Sequence, residues 1–186
     1  MPSGRTHDSI TLWCLPVVTG GTWFYTQNPA QAIVVAGSYL FAGLMFGPDL
    51  DIYSHQYQRW GWLRGLWLPY RKMFRHRSVY SHGFLIGTVL RVLYVSVLMV
   101  AVISVGILGW ALVRQIQGAT TWDRAALPLT TSVVAQVTQS IQVHWQIWLA
   151  AWFGLETGAM SHSLSDAIGS KVKRWRRKSA KRNPKK

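Results

Sequence analysis

Long apolar runs separated by short polar stretches dominate the pattern along this chain. From Gly83 to Val113 the only charge is Arg91, and from Val92 to Val113 there is none. About 20 apolar residues cross the hydrocarbon core of a bilayer, so this run predicts a transmembrane helix. Ala30 to Gly47 predicts a second, with Gly37, Gly43 and Gly47 offering small faces for close helix contact. Two weaker candidates follow the same logic. Ile10 to Thr26 is broken by Pro16 and the Gly20-Gly21 pair, and Val143 to Met160 carries Gln146 and Glu156. Between them, Pro128 followed by Val133, Val134, Val137 and Ile141 predicts a short amphipathic helix. The expected fold is all-α: a polytopic membrane helical bundle of about four transmembrane helices over residues 1–170, with a basic disordered tail at 171–186. A cleaved leader is the rival account of the N-terminus, because Arg5 precedes an apolar run and Ala30-Gln31-Ala32 suits a cleavage site. The Gly and Pro breaks and the His7-Asp8 pair weigh against it.

Charge adds orientation. Twenty Lys and Arg stand against six Asp and Glu, a formal charge of +14. Such an excess suits nucleic acid or the anionic cytoplasmic face of a membrane, and position decides between them. Ten of the basic residues lie between Lys171 and Lys186, six lie between Pro48 and His82, and Arg5 is near the N-terminus. Four spans put these seventeen on one side and leave Arg114 and Arg124 on the other. The positive-inside bias then predicts both termini in the cytoplasm. The expected partners are membrane lipid, with the tail on anionic headgroups, and not nucleic acid. Gly61 to Pro69 alternates aromatic, aliphatic and basic residues in a way that suits the inner leaflet surface. A lone Cys14 forms no internal disulfide.

The scarce acids point to chemistry. On the four-span topology His7, His55, His76, His82 and His162 share the cytoplasmic side with Asp8, Asp49, Asp51 and Asp166, and His144 alone among the histidines falls opposite. His162 and Asp166 are spaced i, i+4, on one helical face. Asp49 and Asp51 follow Gly47-Pro48, and two carboxylates that close repel unless a cation lies between them. His76 and His82 flank the entry to the third span, where Gly83 permits a tight turn. Mixed imidazole and carboxylate ligands suit zinc, manganese or iron, whereas calcium or magnesium needs no histidine. Glu156, an acid inside an apolar run, is a functional candidate by default.

Ser3-Gly4-Arg5-Thr6-His7-Asp8, Gly47-Pro48-Asp49-Leu50-Asp51, His76-Arg77 with Ser81-His82-Gly83, and His162-Ser163 with Asp166 together resemble an uncharacterised bacterial, notably cyanobacterial, family of metal-binding membrane proteins. That family is similar to the broader inner-membrane metal-dependent hydrolases. The resemblance covers nearly the whole chain except the tail. It implies a metal site at His7, Asp49, Asp51, His76, His82, His162 and Asp166, and no substrate. A looser similarity is to the zinc-dependent phospholipase C class, all-helical, with ligands in the order His, Asp, His, then His-x-x-x-Asp. That class has a further His-x-x-x-Glu pair which is missing here, so fewer metals, or one di-metal centre, would follow.

The leading expectation is therefore a membrane protein with one or two divalent ions, zinc first, facing the cytoplasm and hydrolysing a phosphoester or other ester of a small molecule or lipid. Asp8 is the candidate base, and Arg75 and Arg77 the candidate cations for developing phosphate charge. The rivals are a non-catalytic protein that stores, senses or moves the ion, and a structural membrane protein whose tail holds anionic lipid.

Overall fold

The structure is a computed structural model that describes residues 4–74 and 78–182. Every regular element among the described residues is helical: α1 (Gly4–Thr26), α2 (Pro29–Leu44), a 3-10 turn (Pro48–Asp51), α3 (His55–Gln58), a second 3-10 stretch (Gly61–Trp67), α4 (Leu68–Met73), α5 (Val79–His82), α6 (Ile86–Ile116), α7 (Trp122–Val143) and α8 (Trp145–Arg182). The all-α expectation holds. The chain divides into two compact units, Met1–Leu90 with Leu149–Lys186, and Arg91–Trp148.

In the first unit, local chemistry starts several elements. Asn28 caps α2, its side chain accepting from the amides of Ala30 at 3.0 Å and Gln31 at 3.3 Å, while Pro29 occupies the first turn, where no N–H is needed. Pro48 opens the 3-10 turn that bears Asp49 and Asp51. Ser54 ties this turn down: its hydroxyl donates to the Asp49 carbonyl at 2.8 Å and accepts from the Tyr57 amide at 3.2 Å. Ser78 caps α5 by accepting from the Ser81 amide.

Packing is by small residues and aromatics. Gly154 and Gly158 of α8 lie so close to α2 that a Cβ on either would collide, the first with Ser38 and the Val35 carbonyl, the second with the Tyr39 carbonyl and Ala42. Gly43 of α2 in turn lies against Thr11 of α1. Backbones approach this closely only where side chains are minimal. Beyond α2, Phe41, Phe46, Trp60, Trp67 and Tyr70 form a continuous ring cluster with centroids 5.1–6.2 Å apart. Trp67 and Tyr70 are fully buried in it, so the 61–69 segment is anchored by its inner rings while Trp62, Leu66 and Leu68 stay exposed.

In the second unit the apolar side chains of α6 are exposed, among them Val97, Val100, Val102 and Val105. Among the described residues, two segments are long and apolar enough to cross a membrane, Pro29–Asp51 and Ile86–Ile116. The other two expected spans fall within α1 and α8 and do not reach that mark. α1 buries His7 and Thr11, and α8 buries Glu156 and His162, because these helices spend polar residues on the first unit's interior. The 122–143 region, expected as a short helix, is helical throughout in α7. α8 runs on to Arg182, where the sequence predicts disorder. Lys, Arg and Ala favour helix, cations suit a helix C-terminus, and no proline intervenes before Pro184.

Candidate metal centre

Five chain segments of the first unit meet at one buried polar cluster. The 3-10 turn contributes Asp49 and Asp51, α5 contributes His82, α8 contributes His162, α1 contributes His7, and α3 contributes Gln56. The Nε2 of His162 lies 3.0 Å from Asp49 Oδ2, and the Nε2 of His82 lies 3.6 Å from Asp49 Oδ1. The Nδ1 of His82 is 3.9 Å from Asp51 Oδ2. Asp49 is thus flanked by two imidazoles, and one of them also faces Asp51. His7 and His162 stack, with ring centroids 3.9 Å apart and planes at 22°.

A surrounding set of neutral groups fixes these rings. Gln56 Nε2 donates to the Gly43 carbonyl at 2.8 Å and stands 3.4 Å from His162 Nδ1. Gly47 makes room for that amide, since a Cβ there would overlap it. Ser165 lies one turn beyond His162 on α8, donates to the His162 carbonyl at 2.8 Å, and pairs through its hydroxyl with His7 Nδ1. Ser81 Oγ is 2.9 Å from His82 Nδ1. His7, Asp51, Gln56, Ser81, His162 and Ser165 are all buried.

The donor chemistry suits a borderline divalent cation. His162 Nε2 and Asp49 Oδ1 are buried and make no hydrogen bond, although ring and carboxylate lie within ion-pair distance. A buried polar atom without a hydrogen bond is costly, and a shared cation would satisfy both. No three His, Cys, Asp or Glu side chains among the described residues converge closely enough to hold an ion as they stand. The residues fit a metal in identity and burial.

The remaining expected site residues fall differently. Asp8 is engaged by Arg59, whose guanidinium meets both carboxylate oxygens and also donates to the Leu44 carbonyl at 2.8 Å. The pair joins α1 to the end of α2. Arg75, His76 and Arg77 lie outside the described residues, and so does the side chain of Asp166. His55 is exposed on α3 and His144 is exposed in the second unit. Sequence reasoning missed Gln56, Ser165, Ser81 and Arg59. Ser165 carried a readable signal, its i+3 spacing from His162, and Gln56 carried none.

A family model described as "Uncharacterized metal-binding protein (DUF2227)" matches residues 2–176. An uncharacterized protein of Aquifex aeolicus (strain VF5) is 37% identical over 57 residues, 30% of this chain. The chain spans about two fifths of the length of that curated relative, 40%. No solved structure matches.

Proposed function

We propose, from the premise that this chain belongs to the uncharacterized metal-binding protein family (DUF2227), that it is an integral membrane protein which binds one or two divalent ions, zinc first and manganese or iron next, and hydrolyses an ester. The observation that carries this reading is Asp49 set between His162 and His82, with His82 also facing Asp51, in a pocket of buried polar groups. Asp49, Asp51, His82 and His162 would hold the first ion. His7, His76 and Asp166 would complete the shell or a second position. A bound divalent ion supplies Lewis acidity toward an ester oxygen and a more acidic water.

The chain's own groups do the rest. Gln56 and Ser165 orient the two stacked imidazoles, and the small residues facing α2 keep α8 in register with the Asp49 turn. Arg75 and Arg77 would meet a phosphoester's charge, and Asp8 would move a proton only after release from Arg59. The substrate class is a phosphoester of a lipid or small molecule, reached from the cytoplasmic face of a bacterial plasma membrane. α6 supports the membrane assignment, because its 31 residues span about 46 Å as helix and its apolar surface is exposed. The basic 171–186 segment would rest on anionic headgroups.

Burial of Asp51 and His162 favours a second reading, a closed and non-catalytic site that stores or senses the ion. Purified protein loaded with zinc or manganese decides between them. Turnover of a generic phosphodiester that disappears with Asp49→Ala supports hydrolysis. Full metal content without turnover across phosphomonoester, phosphodiester and carboxylic ester probes supports the closed site.

A further inference from the structure

Among the acids of the first unit whose side chains are described, Glu156 is the one that neither the metal cluster nor Arg59 accounts for. It is only 6% exposed, on α8, between the two glycines that fix this helix against α2. Its Oε1 accepts from the backbone amide of Leu85 at 2.9 Å, a bond across 71 positions of the chain. Leu85 has φ of 59°, a left-handed conformation that leucine rarely adopts. The Ile86 amide closes back on the Phe84 carbonyl at 2.7 Å, so the chain makes a γ-turn immediately before α6. Gly83, Phe84 and Leu85 offer no Ser, Thr, Asp or Asn to cap that helix start, and the acid from α8 holds the turn instead.

The turn lies three residues beyond His82, and the link between them has little freedom. The Gly83 amide donates to the Val79 carbonyl at 2.9 Å, its own carbonyl accepts from the Gly87 amide at 3.1 Å, and a Cβ at Gly83 would strike Val79. Moving the Leu85 amide therefore moves His82, whose ring faces Asp49 and Asp51. We propose that Glu156 is the positioning residue for His82: its carboxylate clamps the strained Leu85 turn and so sets the approach of the imidazole to the two aspartates. α8 then governs the cluster twice, directly through His162 and indirectly through Glu156. The proposal rests on the metal reading for its functional meaning, and on the hydrogen bond and the backbone alone for its geometry.

The test compares the parent with Glu156→Ala and Glu156→Gln, each with and without His82→Ala. It reads zinc affinity by competition titration and amide exchange of residues 83–88. Glu156→Ala raises exchange at the Leu85 amide and weakens zinc about ten-fold, the scale of lost ligand support. Glu156→Gln keeps the acceptor oxygen and stays near the parent in both. In the His82→Ala background the Glu156→Ala loss in affinity vanishes, which a general loss of folding would not produce. Unchanged exchange in Glu156→Ala overturns the clamp whatever the metal content. Raised exchange with unchanged affinity, or an undiminished loss without His82, overturns the positioning role. A parent that binds no zinc contradicts the metal reading, and the exchange result still judges the clamp separately.

Discussion

Gln56 joins two parts of the cluster through one amide, with its nitrogen on the Gly43 carbonyl and its edge against the His162 ring. Gln56→Leu keeps the volume and removes the donor. Metal affinity falls about ten-fold and stability by about 1–3 kcal/mol, read by competition titration and by thermal unfolding. Conservative substitution at His55, its exposed neighbour on α3, leaves both near the parent. Residue-level legibility followed chemistry that acts at short sequence range. Asp49 with Asp51, and the helical position of His162, were readable as candidates because carboxylates and imidazoles are scarce here and their spacing is local. The partner of Asp8, Arg59, lies 51 positions away, and nothing in either segment announces the pairing.

Helix contact is where the sequence was half-read. Gly43 was correctly taken as a small face, and it meets Thr11, whereas Gly37 has open space around it. The Gly154-Leu155-Glu156-Thr157-Gly158 motif was overlooked because Glu156 drew attention as an anomaly in a span. Its two glycines lie against α2, and the acid sits between them. The glycines make a sharp prediction of opposite signs. Gly158→Ala forces a Cβ into Tyr39 and Ala42 and costs about 1–3 kcal/mol. Gly20→Ala, in a helix interior with nothing within 4 Å, gains up to about 1 kcal/mol. Thermal unfolding in the same detergent reads both, and equal effects would remove the packing argument. The first and last expected spans, in α1 and α8, fall short of the apolarity of a clear span for one physical reason: a helix lining a buried polar cluster carries apolar residues at its back and His, Asp, Glu or Ser at its front, so average apolarity describes neither face.

At the scale of the molecule, charge and apolar surface make the same argument from different residues. The second unit leaves the valines of α6 exposed, an apolar surface of the kind that marks an interaction site, and seventeen of the twenty basic residues lie in segments that the proposed four-span topology would put together. A reporter active only in the cytoplasm, fused after Lys186, is therefore expected to be active, and one fused near Gln117 inactive; the reverse pattern would invert the topology. All-helical architecture was legible from the apolar runs, and the division into two units was not, since it depends on contacts between helices far apart in the chain. The central claim is that Asp49, His82 and His162 bind metal. Elemental analysis of the purified protein tests it most directly. One or two equivalents of zinc, manganese or iron per chain in the parent, falling to background in His162→Ala and Asp49→Ala that still fold, is the predicted result. A folded parent with no stoichiometric metal after exposure to all three would contradict it.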